Sequence, residues 1–507
     1  MPIERELKFR FPESRTQAEL WRALDGKPDR RRLEATYLDT GDGTLRGART
    51  ALRLRRSGRR WLQCFKTDAA AGGVLLGRNE WELTARGGRL RIAAFPLSEI
   101  RASSGIDLAA LEPELRPVFK ATFERRTVEI DVSGSRVEVA FDRGTISAGR
   151  RIAPLREVEF ELLAGEMLPV LGRVRELIPA LALELEVHSK AERGYRLAVG
   201  EHARPVKATR PPVDPGTTAQ GAVGAVIGAC VSQVAANVRG AALARDPEYL
   251  HQLRVGLRRL RSALRVLRAH ASAERTRTLV DGLRALLPPL GVARDWDVMA
   301  DLLERRIAPA AGGAIDFAPA LRWVRRRRTR ARRDARTVAA SSGFQQLLID
   351  ALIWAEHAGR ANDHANAAAA PAHTPPAQQT LAAFAKRKVV RLARKVEQSG
   401  DGCAWSEGDA RHQVRIRLKR LRYVCEFFFT CFKRKRVRRY LAHLEALQDL
   451  LGELNDIRTA RQLLAPPGGM GEVQIAFVNG WLSAREAALI GALDDAWRAF
   501  RDQRRPA

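Results

Sequence analysis

Cysteine is scarce and patternless in this chain. The five cysteines among 507 residues (Cys64, Cys230, Cys403, Cys425 and Cys431) include no C-x-x-C pair. Neither a disulfide framework nor a zinc site is expected, and a reducing compartment, the cytoplasm, follows. Aromatic residues make up only 6%, which counts against a protein built to stack single-stranded bases. Acidic residues are outnumbered, 58 against 88 Lys+Arg, a formal net charge of +30. That excludes a neutral globule and asks for a polyanionic partner: nucleic acid, an anionic membrane or phosphate chains. Long apolar runs are nearly absent. The uncharged stretch 219–238 carries Gln220, Ser232, Gln233 and Asn237 but no Leu or Phe, and is expected to be a buried helix rather than a membrane span. The N-terminus is charged from Glu4 onward, so no secretory signal is expected.

Apolar residues amount to 45%, enough to bury real cores, and the length leaves room for two or three domains. The chain changes character along its length. Residues 1–200 alternate polar and apolar side chains with period two, broken by Gly-rich turns, and read as strands. Residues 201–216 hold Pro205, Pro211, Pro212 and Pro215 and read as a linker. From 217 to 507 the spacing is helical, with an Ala/Pro-rich insert at 359–379 dividing halves of about 217–358 and 380–507. Residues 1–200 hold 36 basic and 29 acidic residues against 52 and 29 in the remainder, so the positive charge is concentrated in the helical part.

The strands have an unusual second face. Glu4, Glu6, Lys8 and Arg10 occupy alternate positions, about 7 Å apart on a strand, and Leu7, Phe9 and Phe11 take the opposite face. The same alternation places Arg53 and Arg55 against Leu52 and Leu54, Glu80 and Glu82 against Trp81 and Leu83, and Glu157, Glu159 and Glu161 against Val158, Phe160 and Leu162. One such strand is an ordinary solvated sheet face. Repeated over many strands, the pattern suits a closed barrel with a polar lumen. Carboxylates there can hold a hard divalent cation, and guanidinium and ammonium groups can neutralise phosphate oxygens. Together these are the parts phosphoryl transfer needs.

The E-x-E-x-K start is followed by YLDT (37–40), LRGARTALRLRR (45–56), WLQCFK (61–66), RNEWE (78–82), FERR (123–126), FDRG (141–144), EVEFE (157–161) and SKAERGY (189–195). This series resembles the CYTH domain of the triphosphate tunnel metalloenzymes. The resemblance implies an eight-stranded antiparallel tunnel with flanking helices that cleaves inorganic triphosphate with Mg2+ or Mn2+. It implies catalytic roles for Glu4, Glu6 and Lys8, and metal-binding roles for Glu4, Glu6, Asp142, Glu157, Glu159 and Glu161. It implies phosphate contacts from Arg53, Arg55, Lys66, Arg78, Arg125 and Lys190. Lys66 shares its strand face with the apolar Leu62 and Cys64, which leaves its direction open, and Arg193 is expected to be a supporting salt bridge. A nucleoside or thiamine triphosphate, or ATP cyclisation, remains an alternative chemistry on the same fold.

The helical part repeats itself. HQLRVGLRRLR (251–261) and HQVRIRLKRLR (412–422) lie 161 residues apart, and Leu290-Gly291 and Asp295 recur as Leu451-Gly452 and Asp456, the mark of an internal duplication. At 100° per residue, His251, Arg254, Arg258 and Arg261 gather on one helical face, as do His412, Arg415, Lys419 and Arg422. These stretches resemble the CHAD domain. The resemblance implies an all-α domain of two pseudo-symmetric bundles that binds inorganic polyphosphate through those eight residues, and so an association with polyphosphate granules. Gly256 departs from the repeat, its counterpart being Arg417. Asp295 and Asp456 are expected to cap helices or to pair with arginines. A non-catalytic polyphosphate or nucleic-acid binder is the competing reading from a different class, with no specific nucleic acid and no membrane expected as partner.

Overall fold

The computed structural model describes residues 4–13, 21–22, 24, 28–67, 76–201, 203–243, 246–270, 272–360, 380–464 and 469–506, the side chains of residues 4, 76–78, 359 and 360 excepted. The 359–379 insert therefore lies almost wholly outside the described residues. The chain forms two compact units. One comprises Met1–Val206 with Ser342–Glu356, the other Lys207–Ser341 with His357–Ala507.

The first unit is built on an antiparallel sheet of β1 (Glu4–Arg10), β2 (Asp29–Asp39), β3 (Thr50–Ser57), β4 (Arg60–Thr67), β5 (Leu76–Arg78), β6 (Glu80–Thr84), β7 (Arg116–Val132), β8 (Ser135–Ala148), β9 (Arg151–Ala164) and β10 (Glu184–Leu185). The order is β10-β1-β9-β8-β7-β2-β3-β4-β6, with β5 on β1. β5 and β6 flank Asn79 and form one course. Its first part pairs with β1 and its second with β4, so the sheet closes on itself. Counted as one, that course joins the seven other long strands in the eight-stranded tunnel the sequence implies, and only the two-residue β10 lies outside the ring.

Two stretches of the outward face are apolar and covered. Leu52, Phe65 and Trp81 pack with Ile92, Phe95 and Ile100. The helix α1 (Met167–Leu181) buries Val170, Leu171, Val174 and Ile178 against β7, β8 and β9. The inward face is apolar at one end. Leu33, Tyr37, Phe119, Phe123 and Ile146 pack there around Tyr195, which stands on the short helix α2 (Lys190–Ala198). Tyr37 stacks on Phe119 at 4.3 Å, and Tyr195 meets Phe119 edge-on at 5.1 Å. Gly194 lets α2 come this close, because a Cβ there would lie 2.0 Å from the Phe119 ring. The YLDT turn is structural. Buried Asp39 accepts hydrogen bonds from the backbone N–H groups of Thr40, Leu45 and Arg46.

The second unit holds α3 (Val223–Ala242), α4 (Pro247–Leu267), α5 (Ala273–Leu302) and α6 (Ala318–Ala339), then α8 (Leu381–Gly400), α9 (Gly408–Phe427), α10 (Arg434–Leu464) and α11 (Glu472–Arg501). Shifted by 161 residues, each of the first four falls on its counterpart in the second four, α5 on α10 almost to the residue. The helix α7 (Ser342–Arg360) lies between the two sets, and most of it belongs to the first unit. The uncharged stretch of the sequence is α3, which buries Val226, Ile227, Cys230, Val231 and Val234. Gly256 has a packing reason. A Cβ there would meet Val234 at 2.8 Å, so α4 comes against α3 where the second repeat carries Arg417.

Candidate active site and anion-binding surface

Register sets the inward face. Pairing across β1, β9 and β8 aligns Glu6 with Glu161 and Glu138, Lys8 with Glu159 and Ala140, and Arg10 with Glu157 and Asp142. The acidic residues on this wall outnumber its cations. Lys8 Nζ lies 2.9 Å from Glu6 and 3.3 Å from Glu159. Arg125 grips both oxygens of Asp142 at 2.7 Å and reaches Glu159 at 2.6 Å. Lys190 enters from α2 and lies 2.8 Å from Asp142, 2.6 Å from Glu157 and 2.8 Å from Glu159. Burial would raise the Glu159 carboxyl, but Lys190, Lys8 and Arg125 hold it well below the usual range. Burial works against the Lys190 charge, and Asp142, Glu157 and Glu159 more than restore it.

The β3, β4 and β6 wall is mainly cationic. In the eight-strand ring β3 stands opposite β9, and β4 opposite β8. Arg53 lies 3.2 Å from Glu80, Arg55 2.6 Å from Glu82, and Lys66 2.5 Å from Glu80. Lys66 therefore shares the inward face, which settles the direction the sequence leaves open. Burial lowers the Arg55 pKa, and the neighbouring Arg53 and Arg125 lower it further, with Glu82 only partly opposing. Arg55 is thus disfavoured as a cation chiefly by its burial, while remaining paired with Glu82. Cys64 donates to Glu80 at 2.9 Å, and burial pushes its thiol up to about 12, so it is inert as a thiolate.

Glu4 and Arg78 pair with one another through their backbones on β1 and β5, but their side chains lie outside the described residues. Arg193 binds Glu157 and donates to the Pro154 carbonyl at 2.8 Å, the supporting role expected of it. Alternation along β8 puts Glu138 on the same polar face as Asp142, against Val137, Val139 and Phe141. The alignment of Glu138 with Glu6 and Glu161 appears only with the register.

Oxygen donors suit Mg2+ or Mn2+. Ligand atoms of Asp142, Glu157 and Glu159 come within 4.8 Å of one another, and all three share Lys190, with Arg125, Arg193 and Lys8 as further partners. Glu6, Glu161 and Glu138 form an adjoining row by register, with Lys8 on Glu6 at 2.9 Å.

In the second unit α4 and α9 bring four of the eight expected residues into one field. Burial and then Arg258 depress Arg254 to about 10. Burial, Arg415 and Arg258 depress Lys419 to about 6. Burial and Arg258 lower Arg415. Asp295 and Asp456 stand mid-helix rather than at caps and share this field. Burial raises both carboxyls while nearby arginines oppose it. The remaining four divide. Burial, Arg294, Arg258 and Arg254 press His251 down to about 4, so it borders the same field. Arg261 repels Arg265 and Arg284. Arg422 is committed to Glu426 at 2.7 Å. His412 is half-buried on α9.

A closed sheet with ionised side chains turned inward, followed along the chain by a duplicated set of four helices, defines a two-module protein of the tunnel class. The family models agree. Residues 2–195 match the CYTH domain and residues 225–465 the CHAD domain, so the chain carries a CYTH domain followed by a CHAD domain. An inorganic triphosphatase of Haemophilus influenzae is 30% identical over 172 residues, 32% of this chain and 46% of that protein. An uncharacterised protein of Mycobacterium tuberculosis is 31% identical over 180 residues, 34% of this chain and 33% of that protein. The chain thus spans less than half the length of these curated relatives. The crystal structure of the CHAD domain from the plant Ricinus communis is 27% identical, with a TM-score of 0.51, covering 60% of this chain and 99% of that one.

Proposed function

We propose that the tunnel hydrolyses inorganic triphosphate with Mg2+ or Mn2+, and that the helical module binds inorganic polyphosphate. The observation that carries the first part is the opposition of two walls inside one closed sheet, carboxylates on β1, β8 and β9 and the guanidinium groups of Arg53 and Arg55 on β3. Glu6, Glu161 and Glu138, with Glu4 beside them in sequence, would hold the cation. Asp142, Glu157 and Glu159 would support the wall as counter-ions of Lys190 and Arg125. When bound, the cation supplies Lewis-acid neutralisation of phosphoryl oxygens. Arg53, Arg55 and Lys66 grip the phosphates, and Arg78 is assigned with them. Lys8 lies between the acidic row and Glu159, where it can meet a phosphoryl oxygen. The packed Tyr37, Phe119 and Tyr195 end limits the depth of the bore and favours a short chain entering end-on. The test is phosphate release from triphosphate by the full chain with Mg2+ or Mn2+. Release that survives Glu6→Gln, or none from the wild type, overturns the proposal.

For the helical module, a field of cations that depress one another is what a polyanion relieves. Arg254, Arg258, Arg415 and Lys419 are assigned to polyphosphate contact, with His251, Arg261 and His412 around them. Arg422 serves the fold through Glu426. Displacement of bound polyphosphate by duplex DNA at equal phosphate concentration would favour the nucleic-acid reading instead.

A further inference from the structure

The first unit takes in a segment from within the range matched by the CHAD family model: Ser342–Glu356, most of helix α7. Its contacts are specific. Glu356 receives a charge-assisted hydrogen bond from Arg5 at 2.8 Å. Gln345 accepts from the backbone N–H of Leu185 at 3.1 Å. Asp350 is ion-paired with Arg175 of α1, and Gln346 donates to the Arg175 carbonyl at 3.2 Å. Two of these partners bear on β1. Arg5 stands between Glu4 and Glu6, on the opposite face of the strand. Leu185 belongs to β10, which pairs with β1 at Phe9 and Arg10.

We propose that α7 is a brace for strand β1, with Glu356 and Gln345 acting as positioning residues, through Arg5 and the Leu185 amide, for Glu6 and Lys8. The brace matters because β1 is held unevenly. On one side it pairs with β9 over six residues, from Arg5 to Arg10. On the other it has the short pairings with β5 and β10, and Glu186, whose N–H donates to the Lys8 carbonyl at 2.8 Å and whose carboxylate pairs with Arg10. A strand held this way can twist about its β9 edge. An ion pair on its outward face at Arg5 resists that rotation, which would otherwise move the inward Glu6 carboxylate relative to Glu161. The helical segment thus serves the tunnel's chemistry without entering it.

This inference rests on the reading of Glu6 as a cation ligand, and the experiment separates the two. Mn2+ binding to the full chain is titrated by electron paramagnetic resonance, and amide hydrogen exchange is followed over residues 4–10. Glu356→Gln should weaken Mn2+ binding about tenfold and speed exchange within β1, while exchange in β7 and β8 stays as in the wild type. The exchanged pair Arg5→Glu with Glu356→Arg should restore both. Wild-type exchange in β1 of Glu356→Gln overturns the brace. So does a uniform loss of protection across the sheet, which is the mark of a merely structural contact. If Mn2+ binding does not respond to Glu6→Gln, the cation reading fails, and β1 exchange alone decides the brace.

Discussion

The Lys190 ammonium lies 2.8 Å from the Glu159 carboxylate, buried at the inner end of the tunnel and carried there by a helix rather than a strand. Asp142, Glu157 and Glu159 all share this cation, with Arg125, Arg193 and Lys8 as their other partners. Lys190→Met should therefore destabilise the first unit by about 3–5 kcal/mol, because it removes the cation the three share and leaves buried negative charge in excess. Chemical denaturation followed by tryptophan fluorescence checks this, and Asp142→Asn in the same chain should recover part of the loss.

Acid should weaken the tunnel for the same reason. Asp142 and Glu159 have folded pKa values below their ordinary values of 3.8 and 4.5. A depressed carboxylate contributes stability that is fully present above its unfolded pKa and is lost as pH falls toward the folded one. The first unit should keep a constant midpoint from pH 7 to about 5 and lose stability progressively below about 4.5. Thermal unfolding across that range measures it.

Substrate affinity should depend on Arg55. Arg55→Ala should raise KM for triphosphate about tenfold or more, the loss of one charge-assisted phosphate contact, while the melting temperature changes little. A KM equal to that of the wild type removes Arg55 from the site.

Polyphosphate binding should take up a proton. Burial, with Arg415, Arg258 and Arg254 against Asp456, depresses Lys419 to about 6, and added negative charge raises that value. Affinity should be flat below about pH 6 and fall as pH rises above it, until the pKa of the bound state is passed. Calorimetry in buffers of different ionisation enthalpy gives the proton count, and Lys419→Arg should abolish the uptake.

Gly194→Ala should cost about 1–3 kcal/mol by overpacking, because the added methyl meets the Phe119 ring. The same denaturation assay reads it.

The inward row of β1 was legible because period-two alternation names a strand's faces without any tertiary information. Glu6 and Lys8 follow from it, and Phe9 marks the opposite side. Lys66 was not legible, since its neighbours Leu62 and Cys64 are apolar yet share its inward face. Alternation gave the face of Glu138, but its alignment with Glu161 and Glu6 needed the β8–β9 and β1–β9 registers, which no single strand encodes. The duplication announced the paired helices through its 161-residue offset, and a helical wheel gave the cationic faces of α4 and α9. It could not show that Arg422 faces Glu426 and Glu445, because a wheel records direction but not neighbours. Nor does amphipathic spacing reveal that Glu356 and Asp350 serve the sheet, since partners some 175 to 351 residues away in sequence leave no local trace.

The tunnel wall has a seam. Its long staves, β7, β8 and β9, are sewn together over most of their length, whereas β5 meets β1 at just three residues, Glu4 to Glu6. A cylinder unzips where it is stitched most sparsely. Thermal loosening should begin there, splitting the wall lengthwise beside the acidic row while the broad β7–β9 panel stays intact.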